Sequence, residues 1–597
     1  MKGNNRILSL LLICVLLGMP ALSGCEIREP SAETEGESTA AAVSAQPDTS
    51  DARALVLNEG GETLISAGGV YRITGSVSDG RIRVCAPGEE VTLLLDNASI
   101  ACADRNPLYI EKAAQVTLAL AEGSVNSLRG PGADADVEEI NACVYAKTDL
   151  LITGSGALAV TADSGNGIVC KDALTIASAT LSVEAQNNGI TGKDSLCVQS
   201  ASVTVSAGGD ALRSTNDSDD TLGYVTVSDS TLQLRAGEDG IQAQTALTVT
   251  GGACTVVSGG GSGVTPGDSS AKGLKGGVSV TLNGGVYSLD CSDDAIHSNG
   301  NVSVLDGSYT ISTGDDGIHA DEKVVVSGGS IGIAKCYEGI EGAVVEISGG
   351  EISIVSSDDG INAAGGADQS GFGFGFAGGF GGGRDSFGDS AYCIRISGGK
   401  ITINASGDGV DSNGDLEISG GELYISGPES SGDSALDYDG SASVTGGIVV
   451  AAGYDGMAQN FGSESTQGSM LIRVGSVVTG EIALSDADNT VLASFTPEKG
   501  YSCVVISCPG IAADGAYTVR TGTKTQSVQM NGLLYGEGMG GFNGGGFRPG
   551  GGGGFGGDMP ELPEGEMPDI PEGGFPGMQA PSGGENPPEK PGAGGKQ

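Results

Sequence analysis

Tryptophan is absent from this 597-residue chain, aromatic residues make up 4% of it, and histidine occurs only twice. Without indole rings, the chain is not expected to have a rigid flat aromatic platform of the kind that stacks on crystalline polysaccharide. Basic residues are also scarce: 29 Lys and Arg stand against 75 Asp and Glu, for a formal charge of −46. Nucleic acid is therefore not expected as a partner, since its phosphates need basic contacts. The acidic excess predicts either solvated acidic loops or bound cations.

The apolar run near the N-terminus, Ile7–Leu17, is too short for a comfortable membrane span. It follows a short basic segment, so residues 1–24 are predicted to be a signal peptide. The sequence Leu-Ser-Gly-Cys at 22–25 resembles the bacterial lipobox, in which the Cys is lipidated. Lipidation of Cys25 would give an extracellular, cell-surface lipoprotein anchored to the membrane; the alternative is an ordinary signal peptide with a chance Cys. Residues 25–50, rich in Ser, Thr, Ala and Glu, are predicted to be a disordered stalk.

Thirteen cysteines occur, and they stand singly, mostly within or beside apolar runs. No Cys-x-x-Cys pair is present, so a cysteine-based zinc site is not predicted. Export would permit disulfides, but the positions of these residues favour small buried core side chains.

A short motif repeats along the chain: an acidic or amide residue, then Gly or Ala, then an aliphatic residue. It begins at residues 166, 188 and 210, and again at 294, 316, 338 and 359, at steps of 21 or 22. Between motifs lie two alternating runs joined by Gly-Gly, as in residues 346–354, so each repeat is predicted to contain two short strands. Alternation buries one face of a strand, and strands this short must stack on neighbours. The pattern predicts an all-β, right-handed parallel β-helix, a solenoid with one coil of about 22 residues per repeat.

The repeat also sets the expected domain boundaries. The β-helix is predicted over residues 51–467, with a Gly/Phe-rich insertion at 364–390 that loops out. Residues 468–528 lack the repeat and are predicted to form a small β module that covers the end of the solenoid. Residues 529–597 are Gly/Pro-rich and are predicted to be a disordered tail.

Stacking converts sequence register into geometry, because equivalent residues of successive coils lie about 4.8 Å apart. The aliphatic motif residues are expected to form an inward ladder: Ile168, Ile190, Leu212, Ile241, Leu274, Ile296, Ile318, Ile340, Ile361, Val410 and Leu436.

The acidic motif residues are expected to form a second ladder, with carboxylates from adjacent coils close together. Two such charges repel by roughly 3–4 kcal/mol at an effective dielectric near 20, so a cation is expected among them. Calcium accepts six to eight oxygen ligands in flexible geometry; the alternative is a solvated acidic rim. The candidate calcium ligands are Asp239, Asp293, Asp294, Asp315, Asp316, Glu338, Asp358, Asp359 and Asp408.

Four other residues of these coils carry weaker signals. His297 and His319 are one coil apart in register, either as a transition-metal pair or, as we favour, as ladder residues on an exposed turn. Lys272 and Lys275 interrupt the acidic ladder. Either could remove a proton in a calcium-assisted polyuronate lyase, but neutralisation of the ladder is the favoured interpretation.

Residues 51–528 resemble the bacterial family of carbohydrate-binding β-helix lipoproteins related to calcium-dependent pectate lyases. The residues that carry the resemblance are Ser357–Asn362, Asp315–His319, and the Ser-Gly-Gly turns at 327–329, 348–350, 397–399 and 419–421. The resemblance implies binding to acidic, polygalacturonate-like, or cellulosic polysaccharide, calcium among the paired Asp turns, and no established catalysis. Tyr337-Glu338 and Gly407-Asp408 depart from the paired-Asp pattern.

The sequence thus favours a calcium-dependent polysaccharide-binding protein of the cell surface, expected to be a monomer and not an enzyme. Two alternatives stay open: a calcium-dependent polysaccharide lyase acting by β-elimination, and a structural surface adhesin.

Overall fold

The structure, a computed structural model, describes residues 48–132, 140–265, 267, 269–364 and 392–536. Every regular element in these residues is a β-strand, so the predicted all-β class is confirmed. No helix long and apolar enough to cross a bilayer occurs in this part of the chain. Cys25, with the predicted signal peptide and nearly all of the predicted stalk, insertion and tail, lies outside the described residues.

Each coil contributes strands to three parallel stacks, and each strand pairs with its equivalents in the coils before and after. The first stack contains Gly61–Ile65, Gly80–Cys85, Leu108–Lys112, Ala142–Ala146, Asn166–Cys170, Ile190–Gly192, Leu212–Ser214, Ile241–Ala243, Leu274–Gly276, Ile296–Ser298, the starts of Ile318–Val326 and Ile340–Ile347, Ile361–Ala363, Val410–Ser412 and Leu436–Tyr438.

The second and third stacks follow the first in every coil. The second stack contains Arg53–Leu55, the starts of Gly69–Val77 and Glu90–Ala101, Gln115–Leu120, Leu150–Thr153, Ala173–Ala177, Ser195–Gln199, Tyr224–Ser228, Ala246–Thr250, the starts of Ser279–Cys291 and Asn301–Thr313, the ends of Ile318–Val326 and Ile340–Ile347, Cys393–Ile396, Asp415–Ile418 and Ala442–Val444. The third stack contains the ends of Gly69–Val77, Glu90–Ala101, Ser279–Cys291 and Asn301–Thr313, together with Val125–Gly130, Ala157–Ala162, Thr180–Ala185, Ser202–Ala207, Thr231–Ala236, Ala253–Ser258, Ser330–Cys336, Glu351–Ser356, Lys400–Ala405, Glu422–Ser426 and Ile448–Gly453.

The Ser-Gly-Gly turn between the second and third stacks shows why glycine is needed there. Gly350 has φ +96°, a conformation that other residues adopt at a cost. A Cβ on Gly349 would lie 2.3 Å from the carbonyl oxygen of Ser327 in the preceding coil. At this Ser-Gly-Gly turn, a side chain on Gly349 would therefore prevent the two coils from stacking at strand spacing.

The inward aliphatic ladder is confirmed in its full register. Ile296 pairs with Ile318, and Ile318 pairs with Ile340. All members of the ladder are buried in one continuous apolar core. The sequence analysis was wrong in assigning two strands to each repeat, because the ladder residues themselves start a third strand. Strands such as Ile296–Ser298 have three residues, too few to show alternation.

The parallel stacking ends at Ile448–Gly453, which pairs antiparallel with Tyr501–Ser507. Tyr501–Ser507 also pairs antiparallel with Ser469–Val478. The short strand Leu534–Tyr535 pairs with the other edge of Ser469–Val478. A separate four-stranded antiparallel sheet contains Ile482–Ser485, Val491–Phe495, Ala516–Thr521 and Lys524–Gln529. Antiparallel pairing therefore covers the edge of the third stack in the last coil.

The cysteines of the described residues are free thiols. All except Cys85 and Cys197 are buried, in agreement with the expectation that they serve as small core residues.

Candidate functional site

Two polar ladders flank the inward aliphatic ladder at the corner where each first-stack strand begins. The turn ladder precedes the strand and contains Asn166, Asn188, Asp210, Asp239, Lys272, Asp294, Asp316, Glu338, Asp359, Asp408 and Ser434. The strand ladder lies three residues later in the chain and contains Thr191, Arg213, Gln242, Lys275, His297, His319, Glu341, Asn362, Asp411 and Asp437, in continuous register from coil to coil.

The turn ladder has a structural role that the sequence analysis did not foresee. A side-chain oxygen of one coil accepts a hydrogen bond from the backbone N–H of the equivalent residue in the next coil. The Asp316 N–H donates to Asp294 Oδ1 at 3.0 Å, and the Glu338 N–H donates to Asp316 Oδ1 at 3.0 Å. The same bond joins Asp210 to Asn188 at 2.9 Å. Short acceptors, Asp and Asn, are needed here because a buried N–H without a partner is costly.

The candidate calcium ligands differ in burial along the solenoid. Asp239, Asp293, Asp294, Asp315 and Asp316 are all buried. The solvated acidic rim, the alternative considered from sequence, is therefore wrong for these five residues. Glu338, Asp358, Asp359 and Asp408 are half-buried.

Basic side chains of the protein neutralise the carboxylates in the first half of the ladders, from Asp210 to Asp294. Arg213 lies 3.1 Å from Asp210, and Lys275 Nζ lies 3.6 Å from Asp239 Oδ2. Lys272 Nζ, on a side chain that is 5% exposed, lies 3.0 Å from Asp293 Oδ1.

The ammonium of Lys272 also lies 2.7 Å from Asp294 Oδ2. Burial acts to raise the pKa of Asp294, but Lys272 and then His297 outweigh it and hold that pKa well below its ordinary value. In the next coil, burial raises the pKa of Asp316 well above its ordinary value, against the hydrogen bond from His319.

The two histidines are buried, so their predicted position on an exposed turn is wrong. Their rings stack with centroids 5.1 Å apart. His297 Nδ1 lies 2.9 Å from Asp294 Oδ2, and His319 Nδ1 lies 2.7 Å from Glu341 Oε2. Burial acts to lower the pKa of His319, but its hydrogen bonds to Asp316 and Glu341 raise it to about 12.

The second half of the ladders has carboxylates without this compensation. Oxygen atoms of Asp359, Asp408 and Asp411 lie within 4.8 Å of one another. Within the described residues, none of these three forms an ion pair with Lys, Arg or His. Burial, and then the charge of a neighbouring carboxylate, raises the pKa of Asp359 and of Asp411 to about 7.

Asp408 of this cluster and the neighbouring Glu338 show the same rise in pKa. Burial, with the charge of Asp359 added, raises the pKa of Asp408 to about 8. Burial, and then the charge of Glu341, raises the pKa of Glu338 to about 9, although Asn362 donates to Glu338 Oε2 at 2.9 Å. The ionised forms of these four carboxylates are therefore disfavoured by burial and by one another, and a positive charge placed among them would favour ionisation.

The two halves differ in their fit to calcium. Around Asp293 and Asp294, an ammonium already lies among the oxygens that would bind the ion. At Asp359, Asp408 and Asp411, the donors are carboxylate oxygens, which are the ligands calcium prefers. Asp411 was not among the predicted ligands, because its strand is three residues long and shows no alternation. Its position three residues after Asp408 was the available signal.

Lys272 and Lys275 lie in surroundings that suit a neutralising role. The buried Lys272 ammonium contacts two carboxylates, which stabilise its charged form and oppose its action as a base. Lys275 Nζ lies 2.9 Å from Ser270 Oγ in addition to its contact with Asp239.

Comparison with known proteins gives a matching family model, a similar protein and a similar solved structure. A family model described as a carbohydrate-binding domain-containing protein matches residues 59–317. A protein of the same description from Acetivibrio thermocellus is 37% identical over 254 residues, which are 40% of this chain and 87% of that protein. A solved structure of a polysaccharide lyase-like protein from C. thermocellum, a gadolinium derivative, is 30% identical over 34% of this chain and 85% of that one, with a TM-score of 0.33. The carboxylates at 359, 408 and 411 follow the segment matched by the family model.

Proposed function

This chain belongs to the family of carbohydrate-binding domain-containing proteins, and from that premise we propose that it is a polysaccharide-binding protein that holds an acidic glycan through calcium. The observation that carries the calcium part is the cluster of Asp359, Asp408 and Asp411, whose oxygens lie within 4.8 Å of one another. Calcium bound there would supply the positive charge that these carboxylates lack, with Asp358, Glu338 and Asp437 as neighbouring oxygen donors.

The charge of the protein favours this mode of binding for an acidic glycan. A chain with a formal charge of −46 repels a polyuronate. Such a glycan can be held only through bridging cations or through the few local Lys and Arg. A polygalacturonate-like ligand therefore fits the calcium cluster better than a neutral, cellulosic one.

The test is binding of the full chain to polygalacturonate and, separately, to cellulose, in calcium and in chelator. We expect chelator to weaken polygalacturonate binding by about tenfold or more. The Asp411→Asn variant should lose the same affinity in calcium. Asp488→Asn, which removes an exposed carboxylate from a loop of the antiparallel sheet, is the matched control and should bind normally.

Two results would contradict the proposal. Polygalacturonate binding that is equal in calcium and chelator would remove the calcium role. Binding to neither glycan, together with retention of the protein on other cells or proteins, would favour the surface adhesin. Release of unsaturated products from polygalacturonate would instead support the lyase.

We further propose that the protein is a lipoprotein of the cell surface, anchored through Cys25. A Cys25→Ser variant should appear in the medium or remain unprocessed, because the acyl anchor is lost. Unchanged fractionation with the membrane would refute the anchor.

The same proposal includes a monomeric chain with right-handed coils. A strand, its connection and the next parallel strand form a right-handed unit in about 98% of cases. Sedimentation should show one species of monomer mass, and an experimental map with left-handed coils would refute the handedness.

A further inference from the structure

Three carboxylates from two coils surround the single imidazole of His319. Its Nδ1 lies 3.2 Å from Asp316 Oδ2 and 2.7 Å from Glu341 Oε2. Its Nε2 lies 3.3 Å from Asp321 Oδ1. A ring nitrogen carries at most one proton, so Nδ1 can donate well to only one of its two carboxylate neighbours. The buried cluster therefore has more acceptors than the imidazole can satisfy.

The preceding coil shows how the same corner is satisfied when an ammonium is present. There, Asp294 Oδ2 contacts Lys272 Nζ at 2.7 Å and His297 Nδ1 at 2.9 Å. Among the described residues, the ion pair of Asp316 Oδ2 is with His319. For Asp316, the turn-ladder position equivalent to Lys272 is occupied by Asp294, and Glu341 is the equivalent of His319 in the next coil.

A second observation points to a ligand at this place. His319 is 3% exposed, and on the opposite side of its ring Nε2 faces Asp321 Oδ1 at 3.3 Å, with both atoms buried and neither hydrogen-bonded to another group. A carboxylate behind one ring nitrogen is the usual arrangement when the other nitrogen binds a metal, because the carboxylate orients the ring and fixes its tautomer. Asp321 would take this role if Nδ1 were the ligand and the proton were on Nε2.

The three donor atoms Asp316 Oδ2, His319 Nδ1 and Glu341 Oε2 are positioned to fit a small divalent ion. Ligand atoms about 2.0–2.1 Å from a tetrahedral zinc lie about 3.3 Å from one another. Of the two observed separations from Nδ1, the 3.2 Å distance needs a change of about 0.1 Å and the 2.7 Å distance a change of about 0.6 Å. Asp316 Oδ1 is already held by the Glu338 N–H at 3.0 Å, which leaves Oδ2 for the ion.

From these contacts we propose that Asp316 Oδ2, His319 Nδ1 and Glu341 Oε2 bind one divalent transition-metal ion of the zinc class. The site clips two successive coils together and is distinct from the calcium cluster at Asp359, Asp408 and Asp411. Imidazole nitrogen selects zinc-class metals, whereas calcium prefers oxygen donors. The proposal does not depend on the glycan. His297, held by Asp294, stands outside the ligand set.

The test uses the full chain without a polyhistidine tag, stripped of metal and titrated with zinc ions alone. The chain has only two histidines, so ¹⁵N-histidine labelling gives two imidazole spin systems. We expect one equivalent of zinc to shift the Nδ1 signal of His319 strongly and that of His297 weakly. Calcium ions alone, at a hundredfold higher concentration, should leave both signals in place.

Variants test the ligand set. Glu341→Gln, at a partly exposed position, should weaken zinc binding by tenfold or more while the protein keeps its circular dichroism spectrum and melting midpoint. His319→Gln should weaken it further, and the matched variant His297→Gln should bind zinc as the wild type does. The proposal is overturned if Glu341→Gln binds zinc normally, if His297→Gln loses as much affinity as His319→Gln, or if zinc leaves the His319 signal unchanged.

Discussion

Replacement of Lys272 by Met removes an ammonium from the buried corner and leaves two carboxylates, Asp293 and Asp294, without it. The Nζ–Oδ distances of 3.0 and 2.7 Å correspond to a gross attraction of roughly 6 kcal/mol for each pair at an effective dielectric of 20. Desolvation of the three groups offsets much of this attraction. Removal of one partner from a buried ion pair typically costs about 3–5 kcal/mol, and we expect a loss of that size.

The contribution of Asp294 to folding stability should change with pH in opposite directions in the wild type and in this variant. In the wild type, the lowered pKa of Asp294 means that its ionised form stabilises the fold above the unfolded pKa, near 3.9, and that this contribution is lost as the pH falls through the folded pKa. Without Lys272, burial should raise that pKa above the unfolded value. The variant should then lose stability as the pH rises above about 4.

The assay is amide hydrogen exchange of the coils around Ile296 and Ile318, because stability in a solenoid is local. Calcium should partly restore protection in Lys272→Met and have little effect on these coils in the wild type. Lys323→Met is the control: it breaks a surface pair with Glu346 at 2.8 Å and should cost at most about 1 kcal/mol. Equal protection in the two variants would refute the role assigned to Lys272.

Other perturbations test the core, the corner and the carboxylate cluster. Ile318→Asp should unfold the surrounding coils, since it places a charge in the packed interior; a wild-type melting midpoint would show the register to be wrong. Gly349→Ala should cost about 1–3 kcal/mol because its Cβ meets the Ser327 carbonyl, whereas Gly332→Ala, with 3.6 Å to its nearest neighbour, should change the urea midpoint little. The raised pKa values of Asp359, Asp408 and Asp411, about 7, 8 and 7, predict that stability in chelator falls as the pH rises from about 4 to 8. Calcium should flatten that slope, and a slope equal in calcium and chelator would contradict the cation site.

The sequence predicted the coil length and the inward ladder because every coil repeats the same buried position. Ile296, Ile318 and Ile340 stand at one register, and a solenoid turns that register directly into a contact. Local alternation likewise predicted the longer strands of the second and third stacks.

The chemistry of the corner could not be predicted in the same way. The repeat shows that Lys272, His297 and His319 lie near the acidic ladder, but it does not show which side chains turn inward. Lys272 is buried because Asp293 and Asp294 reach it from the next coil. His319 is buried because Glu341 and Asp321 approach it from either side of the ring. Such contacts depend on side-chain direction across coils, which a linear period does not specify.

The hydrogen bonds of the turn ladder all run in one direction along the chain, so the order in which the coils form decides when each bond can be made. Each side-chain acceptor belongs to the earlier coil, and each backbone donor belongs to the later one, as between Asp294 and Asp316. In a nascent chain that emerges N-terminus first, each new coil therefore finds the side-chain acceptor of its turn-ladder N–H already present, and an unused carboxylate can remain hydrated until its donor arrives. Either cut exposes strand-edge groups, such as the N–H groups of Gly317 and Ile318 that donate to the following coil. The turn ladder adds a difference, because removal of early coils leaves its N–H groups without side-chain acceptors, whereas removal of late coils leaves turn-ladder carboxylates that water can satisfy. Shortening this solenoid from its C-terminal end should therefore be tolerated better than shortening it by the same number of coils from its N-terminal end.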